Sequence, residues 1–298
     1  MINKLDMLWG SPTFLAPYWK KNSIKTDSIE KELRYSIGSR SRLQQKIKQL
    51  HRKINNADVK NKHIVVAAGA TQIISGLLNI LGKNKTVAWA DPPHFSRFPI
   101  LADLAKLDWS EEEDALLIIS NPNNPDNTVT LDMNCDILDC CYNWPQYTDI
   151  IKYNHPVMVY SLSKATGHAS TRIGWAILQD ESLAKELTQF IEVSTGGLSI
   201  DAQIKAEQVI THQLKTDKTV FEYGKLVMDK RWKKILSLKT PFKIINKSGM
   251  FLWAKGKCPK NISGLNGSLM GSTDHYFRLN VGCSNKTFNQ FVILYKKN

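Results

Sequence analysis

From residue 63 to residue 215, short apolar runs alternate with segments of helical periodicity, and this restricts the fold more than any other feature of the chain. "HIVVAA" (63–68) reads as a buried strand, and residues 71–81 carry apolar side chains at helical spacing. "TVAWA" (86–90), "ALLIIS" (115–120), "DILDCCY" (136–142), "VMVYSL" (157–162) and "IGWAIL" (173–178) follow as further strands. Runs that are apolar at nearly every position suit strands covered on both faces. They predict an α/β fold with a mostly parallel sheet between helices. Helices are predicted at 182–193, 200–214 and 218–237. After that, 242–246, 250–255 and 276–282 read as a small sheet, and 285–295 as a closing helix. The simplest partition is a large domain over 46–238 and a small α+β domain over 239–298. Residues 1–45 would pack on the small domain or on a partner.

Composition excludes several classes. A chain of 298 residues with 42% hydrophobic and 22% charged residues can bury a substantial core. No apolar run approaches the roughly 20 residues of a membrane-spanning helix, and "MINKLDMLWG" lacks the apolar centre of a signal peptide. A cytoplasmic protein with no membrane partner is expected. The five cysteines form no disulfide framework and none has CxxC spacing; there is no HExxH, so no metal site is expected. The net charge of +13 comes from lysines spread along the chain, as in "KKNSIK" and "KIKQLHRK", with no nucleic-acid-binding signature beside them. It reads as a solvated surface, with no nucleic-acid partner.

Four stretches carry candidate chemistry. The loop "AAGATQ" (67–72) joins a strand to a helix and aims free backbone N–H groups at whatever lies above the helix start, which favours an anion. "SNPNNPDN" (120–127) holds Asn124 rigidly between two prolines at a strand's C-terminal end. "LDCCYNW" (138–144) sets Asp139 in an apolar strand with Tyr142 three residues on; a buried carboxylate requires a partner. "SLSKATGHASTRIGW" (161–175) places Lys164 behind Ser161 and Ser163, and Arg172 eight residues later. Alternation along a strand end would turn both serine hydroxyls to one side. Each stretch alone reads as readily as a turn, a structural aspartate or a surface cation. Taken in order, they match one ligand, pyridoxal 5′-phosphate (PLP), which offers a phosphate, a phenolic oxygen, a ring nitrogen and an aldehyde.

The wording of these motifs resembles fold-type I PLP enzymes, and within them the plant alliinase and tryptophan–pyruvate aminotransferase group. That group's "SPNNPDG", "YYWPHYTPI" and "SKxTGHxGSRxGWA" stand here as "SNPNNPDN", "YNWPQYTDI" and "SKATGHASTRIGWA", and "GSPTFLAPYWK" (10–20) is similar to its "GDPTxxExYW" opening. The resemblance implies an aspartate aminotransferase-like PLP-transferase fold. Lys164 would bind the cofactor covalently and, with Asp139, be catalytic, Asp139 pairing with the pyridine nitrogen. Asn124 and Tyr142 would hold the phenolic oxygen, and Ala70, Thr71, Ser161, Ser163 and Arg172 would surround the phosphate. Phe95 would stack on the ring, and Tyr35 would reach the phosphate from the second subunit of a homodimer. Arg278, in "YFRLNVG", would pair with the substrate carboxylate beside Asn124.

Two departures stand out: Ala70 replaces the group's usual serine and Asn127 replaces a glycine. The expected activity is transfer of the amino group of an L-amino acid, aromatic ones being suggested by the resemblance, to a 2-oxo acid. Alternatives are a carbon–sulfur lyase of the alliinase kind and, from another class, a non-catalytic PLP-fold binding protein.

Overall fold

The computed structural model describes residues 4–8, 10–22 and 38–295, so Tyr35 lies outside the described residues. In chain order the first elements are β1 (Leu5–Asp6), α1 (Ala16–Lys21), α2 (Ser41–Ile54), β2 (His63–Ala67), α3 (Ala70–Leu81) and β3 (Val87–Trp89). Next come α4 (Phe98–Leu104), β4 (Asp108–Trp109), β5 (Leu116–Ser120), β6 (Ile137–Asp139), β7 (Val157–Ser161), α5 (Leu162–Ala165) and β8 (Gly174–Leu178). Three helices follow, α6 (Glu181–Thr195), α7 (Ile200–Lys215) and α8 (Val220–Leu236). The chain ends in β9 (Lys243–Ile244), β10 (Phe251–Lys255), β11 (Ile262–Ser263), β12 (Leu265–Asn266), β13 (Tyr276–Asn280) and α9 (Asn285–Tyr295).

β7 and β8 are buried at every position, as strands packed between helices on both faces must be. They sit within a seven-stranded sheet of order β2-β8-β7-β6-β5-β3-β4. β8 runs antiparallel to both neighbours and the other pairings are parallel, so the expectation of a mostly parallel sheet holds. A second, antiparallel sheet of order β12-β13-β10-β9 gathers the C-terminal strands. The N-terminal segment is stitched to the C-terminal part: β1 pairs with β11 in a separate two-stranded sheet, and Asn280 of β13 donates its backbone N–H to Met7 O at 2.8 Å.

Helix boundaries follow local chemistry. α8 opens with a capping box between Thr219 and Glu222. α6 runs from an Asp180 cap to Gly196 in left-handed geometry.

Three departures from the sequence reading bear on the site and its setting. The strand expected over 136–142 ends at Asp139, because the chain turns there and Asn143 closes the turn with an N–H donated to Cys140 O. Ser163 is not on a strand: β7 stops at Ser161, whose hydroxyl caps α5 by accepting from Ser163 N–H. α2 was not expected, since its lysines and arginines mask a buried stripe of Leu43, Ile47, Leu50 and His51 that packs on α7. Residue 46 falls inside this helix.

Candidate active site

Strand register assembles the site. Ala67 on β2 pairs with Gly174 on β8, and Gly174 pairs with Ser161 on β7. Further along, Val159 pairs with Asp139 on β6, and Asp139 with Ser120 on β5. The C-terminal ends of β2, β5, β6 and β7 therefore lie side by side and deliver their loops to one edge, where ligands bind in α/β sheets.

On the β2 side, Gly69 precedes α3 with φ +90°, a conformation L side chains rarely adopt. A Cβ there would lie 2.4 Å from Nη2 of Arg172. Arg172 is exposed, itself in left-handed geometry, and is oriented by donating to Ala169 O (2.9 Å) and Ala68 O (3.2 Å). The amides of Ala70 and Thr71 precede the first intrahelical bond, which Gln72 donates to Gly69 O. Gly174 is the third wall: a Cβ on it would fall 2.4 Å from Ala70 N. Ser163 Oγ is buried and finds no partner among the described residues. Helix start, guanidinium and orphan hydroxyl together form a cradle for an anion.

In the middle lies Asp139, buried, accepting from Cys141 N–H (3.0 Å) and weakly from the Ser120 hydroxyl (3.4 Å). Burial raises its pKa; those hydrogen bonds and the Lys164 charge counter only in part. Lys164 emerges from α5 and is half-buried, its Nζ 5.7 Å from the centre of the Tyr142 ring and donating to Gly10 O. Burial lowers its pKa to about 8, and the nearby Arg278 charge adds to the effect. Asp139 and Lys164 are thus both pushed toward their neutral forms.

Beyond them runs a polar chain. Arg278 Nη1 donates to Asn124 Oδ1 (2.8 Å), and Asn124 Nδ2 donates to Tyr142 Oη (3.1 Å). Arg278 also donates to Leu8 O and stacks 4.1 Å from the centre of the Phe251 ring, while its buried Nε has no partner among the described residues. Burial lowers its pKa to about 10. Phe95 lies on the loop after β3, half-buried and edge-on to Phe98; Asn123 ties that loop in by donating to Pro93 O.

The profile of the Allinase family matches residues 5–251. The chain is a member of the Allinase family. A tryptophan aminotransferase-related protein 2 from Oryza sativa is 31% identical over 229 residues, covering 64% of this chain and 45% of that protein. An alliin lyase from Allium cepa var. aggregatum is 28% identical, covering 84% of this chain and 64% of that protein, so the chain spans about half to two thirds of these relatives' length. The aspartate aminotransferase from Thermus thermophilus with maleate superimposes with a TM-score of 0.80 at 14% identity, over 98% of this chain and 91% of that one. At that identity the likeness establishes the fold, the aspartate aminotransferase-like PLP-transferase fold.

The family and the fold are PLP-dependent. The site of this Allinase-family chain fits that cofactor. It supplies an anion cradle with an orphan buried hydroxyl, a buried carboxylate that burial pushes toward its neutral form, and a lysine whose proton is held weakly. Sequence reading missed Gly10 and Phe251. A Cβ on Gly10 would lie 3.2 Å from Lys164 Nζ and 3.0 Å from the Phe251 ring, so glycine lets the N-terminal segment reach the lysine. The "GSPT" opening signalled Gly10; nothing in the sequence signalled Phe251.

Proposed function

We propose that this chain is an aminotransferase that moves the amino group of an L-amino acid to a 2-oxo acid, with aromatic amino acids as its first substrates to test. The observation that carries the reading is the opposed pair at one sheet edge: Lys164, with its pKa lowered to about 8, and buried Asp139, with its pKa raised. PLP, when bound, supplies the electron sink that makes the substrate Cα–H acidic. Lys164 would attach the cofactor and, once displaced by substrate, accept and return the Cα proton, since a pKa near neutrality suits a group that both takes and gives. Asp139 would hold a proton on the pyridine nitrogen. Asn124 and Tyr142 would orient the phenolic oxygen. Ala70, Thr71, Ser161, Ser163 and Arg172 would hold the phosphate, with Phe95 against the ring. Arg278, its Nε free for a carboxylate oxygen, would fix the substrate beside Asn124.

A homodimer is part of the proposal. Arg172 is exposed and borders a cavity of about 620 Å³, which supports a cradle completed from a second copy, by its Tyr35. The division into a large domain over 46–238 and a small one over 239–298 accompanies it. Among the described residues no helix is long and apolar enough to cross a membrane; a cytoplasmic setting is proposed on the sequence alone.

A carbon–sulfur lyase is the second reading, favoured by the likeness to alliin lyase. One experiment separates them. An L-amino acid given alone should bleach the bound chromophore in a single turnover, and added 2-oxo acid should restore it and yield a new amino acid. Continuous pyruvate release from S-substituted cysteines, with no amino acid bleaching the chromophore, would replace transamination by elimination.

A further inference from the structure

Lys164 is carried by a helix of a single turn, Leu162–Ala165. So short a helix has almost no internal hydrogen bonds, and its C-terminal carbonyls must find partners elsewhere or leave the turn free to twist. Leu162 O is satisfied locally, by Thr166 N and Oγ1. The carbonyls of Lys164, Ala165 and Thr166 are met by side chains from two distant segments. Gln146 Nε2 donates to Lys164 O (3.1 Å) and to Ala165 O (2.9 Å). Tyr147 Oη donates to Lys164 O (3.2 Å), and Trp19 Nε1 donates to Thr166 O (2.8 Å).

Gln146 is buried and its Oε1 has no partner among the described residues, so the amide spends both its position and its orientation on these two carbonyls. Flipping it would set its oxygen against them. Room for it comes from α8, where Gly224 stands in a helix interior that glycine ordinarily weakens. A Cβ there would lie 2.8 Å from Gln146 Cβ.

We propose that Gln146 and Tyr147, with Trp19, are positioning residues for Lys164: they fasten the carbonyls of its one-turn helix and thereby set where its amine points. This rests on the reading of Lys164 given above, and the test separates the two. In the cofactor-free protein, trace acetylation of Lys164 followed across pH by peptide mass mapping reports the amine's surroundings without any cofactor. Q146L removes both donors at similar volume, Y147F removes one hydroxyl, and G224A pushes on Gln146 from behind. All three should move the Lys164 labelling midpoint by about half a pH unit or more. In PLP-loaded protein the same variants should lower kcat about tenfold with KM nearly unchanged, because a misdirected group loses rate rather than binding. Y147F should melt within a few degrees of wild type, so the test survives if Q146L fails to fold. Unchanged labelling midpoints in Y147F and G224A would overturn the inference. The site reading is tested separately, by borohydride reduction of PLP-loaded wild type: a pyridoxyl group on another lysine sinks that reading, while the labelling result still decides the clamp.

Discussion

His51 should make this protein acid-labile in a way that a single substitution removes. It lies on the hidden face of α2, fully buried against the rings of Trp144, Tyr160 and Trp175. Trp175 Nε1–H donates to its Nε2 at 2.9 Å, so that nitrogen carries no proton, and Nδ1–H faces Asn56 Oδ1 at 2.7 Å. Charging the ring would break the Trp175 bond inside an apolar box, and burial accordingly lowers its pKa from 6.5 to about 4. The unfolded chain takes up this proton first as pH falls. The stability is therefore whole above pH 6.5 and is lost as pH drops toward 4. Linkage gives about 2 kcal/mol lost by pH 5 and ~3 kcal/mol once the folded form also titrates.

Denaturant unfolding of wild type and His51→Gln between pH 8 and pH 5 would measure it. His168 is also lowered to about 4 by burial and pulls the same way, so the difference between the two proteins is the quantity to read. The variant should be less stable at pH 8 and flatter toward acid. Parallel curves for the two proteins would refute the reasoning.

Two further outcomes follow from the site. Asp139→Asn should retain PLP binding yet lower kcat by roughly 10²–10³-fold, as steady-state kinetics on reconstituted enzyme would show; near-normal turnover would make Asp139 structural. Gly69→Ala must force a side chain into φ +90° and against Arg172, and should weaken PLP affinity by about tenfold or more in a fluorescence titration; an unchanged affinity would remove the cradle from the phosphate's path.

What the sequence disclosed and what it concealed have physical causes. Strands buried on both faces are legible because every position is apolar, as in "VMVYS", and the polar residues that end them are then conspicuous: Ser120, Asp139, Ser161. The helix of Ser41–Ile54 was illegible because its solvent face is so rich in lysine and arginine that Leu43, Ile47, Leu50 and His51 read as gaps in a charged run. Ser163 was placed on a strand by extending period-two alternation past the point where the Ser161 hydroxyl caps a helix. Phe251 could not be read at all, and the "GSPT" opening marked Gly10 without disclosing its contact with Lys164. They depend on the N-terminal segment crossing to β13 and on which face of β10 turns toward Tyr142. Tyr35 lies outside the described residues.

The same reasoning explains why the site's parts stood out as violations of pattern. A buried orphan donor or acceptor costs about 1–3 kcal/mol, and this sheet edge gathers Ser163 Oγ, Arg278 Nε and the poorly satisfied Asp139 carboxylate. Nothing in the packing of the two sheets requires them there; β7 and β8 would be as well covered if their loops ended in apolar residues. Each is one-sided in its chemistry: hydroxyl and guanidinium seek an anion, the carboxylate seeks a cation, and the lysine, with its proton weakly held, seeks an electrophilic carbon. A small molecule that is anionic at one end, basic on its ring and carbonyl-bearing would answer the hydroxyl, the carboxylate and the lysine together, and the carboxylate of a bound substrate would answer Arg278. Groups of this kind cost a fold stability and would raise its affinity for such a ligand, as expected where local rules are broken for function rather than for folding.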